Sequence, residues 1–376
     1  MANTYKSFLD DDVVSTKTLL HENIPVTGTI ISSSVYGTSS IKSYSHGIFQ
    51  SVYDYPYLSS SANQLFDMTV GVAANSPGSS SANSFNSKKV NMYNQMAQTL
   101  VGYDSTGSIL KFDQDGNAAT GGDKLTSMFF LNFSRLLVKD EIKKGTFQLT
   151  LGINSSSASP FSATCLITDA SGSSNYKTNS PTGEYGILYA SSFTSASSNG
   201  GTSNPINNQV GLIFYQAGVA ALSTGIFAIS SSNLPTAFMS SSQQGQLTTG
   251  YVCEMRGTGS AFTNVETLFA SGTVEDANSA LRNRVKNLTF NNTTELNSTI
   301  HFCRVGNNEF NYSSNPTYLS SSQIAVKAKI SDAPVSFITT VGLYSPDNEL
   351  LAVAKLSEPI QKDPTQELIL RVRLDY

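Results

Sequence analysis

The chain has 376 residues, of which 13% are charged, with a net charge of −4 and a pI near 5.4. Charge this sparse is about half the usual share and argues against charge-driven disorder and against a coiled coil. The slightly acidic balance gives no electrostatic footprint for nucleic acid or anionic lipid, so neither nucleic acid nor membrane is expected as a partner.

Polarity is carried by hydroxyls and amides, with 58 Ser and 35 Thr. That composition fits a mainly β protein with many turns. Composition shifts divide the chain into an N-terminal arm and β/helix region (1–152), an uncharged Ser/Gly-rich region (153–250) and a C-terminal β region (251–376). The expected fold is β-sandwich-like, with one or two helices around residues 88–145.

The chain opens MANTYKSFLDDDVV, without a basic start and apolar run, so no secretory signal is visible and synthesis in a cytoplasm is expected. Asp10, Asp11 and Asp12 read as a solvated turn or helix start, with an acidic cation site as the alternative. Residues 1–87 otherwise read as short extended segments and loops. Within them, Tyr53-Asp54-Tyr55-Pro56-Tyr57 is either a sugar-stacking platform or a rigid loop packed into a subunit interface. Tyr is enriched at interfaces, which favours the second reading.

In KKVNMYNQMAQTLVGY, apolar side chains recur at Val90, Tyr93, Ala97, Leu100 and Val101. That spacing predicts a helix of about four turns with one apolar face. Phe133 to Lys144 has helical spacing too, and Lys143-Lys144-Gly145 suits a helix C-terminus. TFQLTLGI then alternates as a strand does.

Between Glu184 and Glu254 lie 69 residues without one Asp, Glu, Lys or Arg. Its Ser/Gly/Asn clusters read as neutral surface loops. Val210 to Ile229 is long enough for a membrane span but holds Gln216 and three Gly and has no flanking basic residues. Two buried strands joined at Gln216-Ala217-Gly218 explain it better.

The last region is patterned for strands. QIAVKAKI alternates from Ile324 to Ile330. FITTVGLYSPDNELLAVAKL reads as strand, turn and strand, with the turn at Pro346-Asp347-Asn348. ELILRVRL puts Leu368, Leu370, Val372 and Leu374 on one face and Arg371 and Arg373 on the other. Such a strand must pair with something to be ordered, either its own sheet or a neighbouring subunit.

Reactive chemistry is thin. Cys165, Cys253 and Cys303 are widely spaced, with no CxxC, and read as reduced thiols. Asp113-Gln114-Asp115-Gly116-Asn117 resembles the opening of a calcium loop, but the position that needs a bidentate Glu is Lys124. An Asp/Asn/Gly turn is the preferred reading, with a weak cation site at Asp113 and Asp115 left open. Gly121-Gly122-Asp123-Lys124 is not a phosphate loop. No GxSxG elbow accompanies His21, His46 and His301, which read as structural. The sequons at Asn287, Asn292, Asn297 and Asn311 follow from composition. No catalytic residue, cofactor or metal is assigned.

Several longer stretches carry a family resemblance: SVYDYPYLSSSANQLFDMTVG (51–71), YNQMAQTLVGYDSTGSILKFDQDG (93–116), LNFSRLLVKDEIKKGTFQLTLG (131–152), QVGLIFYQAGVAALST (209–224), FCRVGNNEFNYSSNPTYLS (302–320) and ITTVGLYSPDNELLAVAKLSEP (338–359). Together they resemble a virion structural protein of the large contractile-tailed phages of marine cyanobacteria. The resemblance implies a non-enzymatic subunit that assembles in multiple copies on the tail, baseplate or neck. Its partners would be other virion proteins and copies of itself. A capsid-surface or decoration protein and a host-contact module binding a surface glycan are the alternatives. A glycan hydrolase would need paired carboxylates that so few charges hardly supply. Tyr53, Tyr55, Tyr57, Leu368, Leu370, Val372 and Leu374 are the interface candidates.

Overall fold

The computed structural model describes residues 5–22, 40–76, 78–117, 124–153, 160–195, 209–227, 255–257, 260–262, 265–313, 319–320, 323–324, 329, 331 and 333–375. The first strands are β1 (Val13–Glu22), β2 (Ile41–Ser43), β3 (Gln50–Tyr53), β4 (Gln64–Val72), β5 (Ser127–Phe133), β6 (Glu141–Ile142) and β7 (Gln148–Gly152). The middle of the chain forms β8 (Ala163–Thr168), β9 (Lys177–Ser180), β10 (Gly183–Ser195), β11 (Gln209–Phe214), β12 (Val219–Ser223), β13 (Met255–Gly257) and β14 (Ser260–Phe262). Then follow β15 (Val285–Thr289), β16 (Asn292–Val305), β17 (Leu319–Ser320), β18 (Gln323–Ile324), β19 (Ser336–Tyr344), β20 (Leu350–Lys362) and β21 (Leu368–Asp375). The helices are α1 (Asn86–Leu100), α2 (Arg135–Val138), α3 (Val265–Ser271) and α4 (Val274–Arg282). The protein is mainly β, as its composition predicts.

Two compact units divide the chain. Unit 1 comprises Met1–Leu19 and Glu295–Tyr376, and unit 2 comprises Leu20–Thr294. The composition breaks at 152 and 250 are therefore not the boundaries the fold draws. β15 pairs antiparallel with β7, and β7 with β8, so the three composition regions share one sheet.

Unit 2 is built on an eleven-stranded sheet in the order β15-β7-β8-β10-β11-β12-β5-β4-β3-β2, with β9 paired to β10. Side chains alternate across a strand, so a strand covered on both faces must be apolar at every position. That is the condition of the central positions of β5, β11 and β12, while Asn132 near the end of β5 is exposed. Phe129, Leu131, Ile213, Ala220 and Leu222 join one apolar cluster, and Met128, Phe130, Leu212, Phe214 and Ala221 the other. The two strands expected within 210–229 are therefore present, joined by a turn at Tyr215–Gly218 and buried; Ala228 and Ile229 lie outside the described residues. The Ser/Gly/Asn stretch at 196–208 lies outside them too. β7 is covered on one face only, and Leu149 and Leu151 are buried while Gln148 and Thr150 are not.

α1 lies on the second cluster through Tyr93, Ala97 and Leu100, as the spacing predicts. It sits so close to the sheet that a Cβ on Gly71 would lie 2.8 Å from the Tyr93 backbone. α3 and α4 cover the first cluster through Val265, Leu268, Phe269, Val274, Ala277 and Leu281. Neither helix is part of the sequence expectation. α4 starts at a reciprocal cap, in which the Asp276 amide donates to Thr273 Oγ1 (3.0 Å) and the Thr273 amide to Asp276 Oδ2 (3.0 Å).

The helix expected over Phe133–Lys144 is a single turn, Arg135–Val138, followed by β6. β5 runs out to Phe133 because that residue pairs with Phe66 of β4. Lys139 takes φ 55° and breaks the helix. Gly145 does not end a helix: at φ 78° it turns the chain into β7, its amide donating to Asp169 Oδ2 (2.8 Å).

Lys89, in the first turn of α1, is fully buried. Its Nζ donates to the carbonyls of Phe269 and Gly272, the latter at 2.7 Å, and Asn83 Nδ2 donates to Ala270 O (3.1 Å) and Gly272 O (3.0 Å). These donors satisfy the open carbonyls at the end of α3. Burial lowers the Lys89 pKa to about 8, against the opposing pull of Asp276.

Two outcomes follow from these contacts. Gly71→Ala should destabilise unit 2 by about 1–3 kcal/mol, the usual cost of overpacking; an unchanged denaturation midpoint would show that α1 can retreat freely. Between pH 8 and the ordinary lysine value of 10.5, the unfolded chain binds a proton that folded Lys89 has released. Stability should therefore rise with pH across that window. In Lys89→Met that rise should vanish, as read by urea unfolding at stepped pH.

Candidate assembly interface

Both apolar clusters are built from residues of unit 2. Among the described residues unit 1 adds nothing to either, although it spans about a hundred residues, enough for an ordinary small domain. Its most buried apolar side chains are Ile300, Val305, Leu343 and Val372, at 7–9% exposure. Residues 13–18 of β1 are exposed on both faces. Polar contacts also tie unit 1 together. Lys6 pairs with Glu309 (2.5 Å), Lys17 with Glu295 (2.5 Å) and Arg304 with Asp12 (2.5 Å). The buried Lys362 donates to Asn307 O (3.2 Å), Asn311 Oδ1 (2.6 Å) and Asp363 O (2.7 Å). Asp10–Asp12 form one turn of 3₁₀ helix, and the Leu9 amide donates to Asp12 Oδ2 at 3.0 Å.

In unit 1, β16 is flanked by β1 and β21. β21 pairs over eight positions, from Ser298↔Asp375 to Val305↔Leu368. One face carries Leu374, Val372, Leu370 and Leu368 beside Thr299, His301, Cys303 and Val305; Phe8 packs on the His301 ring, centroids 5.3 Å apart. Arg371, Arg373 and Asp375 take the other face, where Arg373 Nε donates to Asp375 Oδ1 (2.6 Å). The alternation read from the sequence is present, and the partner strand belongs to the same chain. Only Val372 is buried outright; Leu368, Leu370 and Leu374 are half-buried. Of QIAVKAKI, Gln323–Ile324 pair with Leu319–Ser320, while Ala325–Ala328 and Ile330 lie outside the described residues.

β19 and β20 form a two-stranded ribbon closed by a turn, with Asn348 at φ 65°. A two-stranded ribbon alone is marginal in water. This one exposes Phe337, Tyr344, Leu350, Leu351 and Val353. Residue-by-residue reading passed over Leu350, Leu351 and Val353 as interface residues. Their signal is the run Leu350-Leu351-Ala352-Val353-Ala354, which stays apolar where a half-solvated strand should alternate.

In unit 2, the loop between β3 and β4 presents the candidate tyrosines. Its neck is closed by Asp54, whose Oδ1 accepts from the amides of Tyr55 (2.8 Å) and Asn63 (2.7 Å) and whose Oδ2 accepts from Asn63 Nδ2 (2.9 Å). Burial raises the Asp54 carboxyl, but the Asn63 and Tyr55 hydrogen bonds outweigh it and hold the pKa below its ordinary value. Tyr53 is half-buried and packs on Tyr57, centroids 6.4 Å apart. Tyr55, Tyr57 and Leu58 stand exposed at 58%, 38% and 86%. A stiffened loop bearing aromatic and aliphatic tips is a good anchor for a partner surface.

The ionisable clusters are occupied from within. Asp113 Oδ2 accepts from Lys124 (2.5 Å), so an ammonium of the chain itself stands where the loop faces its carboxylate. Lys144 bridges Glu184 (2.5 Å) and Glu141 (3.7 Å) beneath the Tyr176 ring. Burial depresses its pKa, but the two carboxylates outweigh it and raise it, so it stays a cation. Asp169 accepts from the Gly145 amide, the Phe147 amide (2.9 Å) and the Tyr215 hydroxyl (3.2 Å), and burial raises its pKa nonetheless. A Cβ on Gly172 or Gly186 would lie 2.2 or 2.1 Å from that hydroxyl, so both glycines pack tightly against it. His46 stacks on Tyr44 in a loop, centroids 5.3 Å apart, and His21 lies in β1. Cys165 is buried, and burial raises the thiol pKa of both Cys165 and Cys303; Cys253 and Gly121–Asp123 lie outside the described residues.

Among the described residues no three His, Cys, Asp or Glu side chains gather as a metal site, and no helix is long and apolar enough to cross a membrane. An open depression of about 290 Å³ beside α1 is lined by Ala73, Tyr93, Asn94, Ile109 and Lys111, among others, and no carboxylate lines it. No protein-family model, curated protein or solved structure matches the chain.

Deleting residues 367–376 should strip β16 of one neighbour. Amide protection at 298–305 should then fall while that of β5, β11 and β12 persists, as read by hydrogen exchange. Unchanged protection in β16 would mean that β21 is dispensable for the sheet.

Proposed function

We infer that this chain is a structural subunit of a contractile-tailed phage particle, docked in multiple copies at the tail, baseplate or neck. The observation that carries the reading is the contrast between its two units. Unit 2 encloses two apolar clusters, whereas unit 1 orders long strands while leaving large apolar side chains in water. Strands without a core of their own gain most from a neighbouring subunit, and obligate interfaces resemble a domain core cut in half. The six stretches between residues 51 and 359 read above as resembling virion structural proteins favour the same reading. So does the chemistry: the ionisable clusters of unit 2 are internally paired clamps. The subunit is made in the host cytoplasm, and its partners are other virion proteins and further copies of itself.

Immunogold labelling of intact particles, with mass analysis of washed virions, tests this. The expected result is the protein in the virion, with gold confined to the tail, baseplate or neck. Gold over the head would move it to the capsid surface. Absence from particles by both methods would overturn the reading.

A further inference from the structure

The β19–β20 ribbon has two unlike faces. Val341, Leu343, Ala352 and Ala354 lie on one and are half-buried or buried. The other carries the register pairs Tyr344↔Leu350 and Gly342↔Val353. A Cβ on Gly342 would meet Tyr344 Cε2 at 3.0 Å and Leu350 Cδ1 at 3.4 Å, so both side chains lean over that glycine. Leu351 is the extra residue at the register shift between Leu343 and Tyr344. Tyr5 joins through its ring contact with Tyr344, centroids 4.9 Å apart.

These five side chains, Tyr5, Tyr344, Leu350, Leu351 and Val353, are 44–68% exposed. Together they leave on the order of 500 Å² of apolar surface in water, the upper range for the largest patch of a monomer. That is much of the roughly 800 Å² each partner brings to a stable interface.

The charges around the patch select its occupant. The turn end carries exposed Asp347 and Glu349; the other end carries exposed Lys355, opposite Thr340. None of the three has an ion-pair partner among the described residues. Glu349 and Lys355 are six residues apart, about 20 Å along the strand. An apolar centre with opposite charges at its two ends is complementary to itself under two-fold rotation. We propose that this face is the contact between two copies of the chain, packed antiparallel about a two-fold axis near Leu351 and Ala352. Each Lys355 then lies over the other copy's Asp347 and Glu349, and the apolar centres close on each other as two stacked sheets do.

The contact names the partner surface within the assembly reading and rests on that reading. The test is the mass of the purified full chain by sedimentation velocity across micromolar concentrations. A dimer is expected, weakened about tenfold or more by Lys355→Glu or Val353→Asp, each with an unchanged circular dichroism spectrum. The triple reversal Asp347→Lys/Glu349→Lys/Lys355→Glu should restore it, because both charged ends change sign together. A wild-type monomer, a trimer, or a dimer indifferent to both single variants would overturn the proposal. Failure here is distinct from failure of the particle reading: a patch-dependent dimer absent from virions leaves the contact standing, and a monomer found in virions leaves the particle reading standing.

Discussion

Everything in unit 2 depends on the double burial of β5, β11 and β12. A strand sandwiched between two apolar layers has no position at which a charge can reach water. That explains why the sequence is uncharged around 209–223, and why helices must lie on both sides of the sheet. Gly71 lets α1 approach, and Lys89 ties α1 to the end of α3. Lys89 is tolerated at that depth because backbone carbonyls receive its protons, and its lowered pKa measures how much burial disfavours the charge.

Unit 1 meets the same requirement differently. Its backbone groups are satisfied by β16 and its neighbours, and its loops are tied by Lys362, Asp12 and Glu309. Hydrogen bonds of this kind fix geometry but contribute modest net stability. Among the described residues, the smaller apolar burial of unit 1 is thus the feature that distinguishes the two units. Unit 2 holds both apolar clusters, and unit 1 presents ordered strands with many apolar side chains exposed.

Much of this was legible in the sequence where periodicity was strong. The spacing of Tyr93, Ala97 and Leu100 marked α1, and the split around Gln216-Ala217-Gly218 marked the β11–β12 turn. The alternation of Leu368, Leu370, Val372 and Leu374 marked β21. The misses have physical causes. α3 and α4 lie in a stretch whose composition reads as β, and the Thr273-x-x-Asp276 cap that starts α4 was the overlooked signal. Phe133–Lys144 has helical spacing, but pairing with β4 holds its first residue in a strand. Which apolar residues stay exposed is hardly visible in one sequence, because Leu351 and Leu131 are the same residue in opposite surroundings. The candidate tyrosines divide likewise: Tyr55 and Tyr57 stand out, and Tyr53 supports them.

The strand order of unit 1 carries a consequence for timing. β16 lies between β1 and β21, and nearly all of unit 2 is encoded between β1 and β16. On a ribosome the chain emits β1 first, then more than half its length, and only later the strands that complete the sheet. Unit 2 can close its own core while β1 waits unpaired, since domains fold as units during synthesis. The sheet of β1, β16 and β21 and the β19–β20 ribbon are therefore finished last. Contact between copies through the β19–β20 ribbon, as proposed, would then have to wait until the chain is nearly complete.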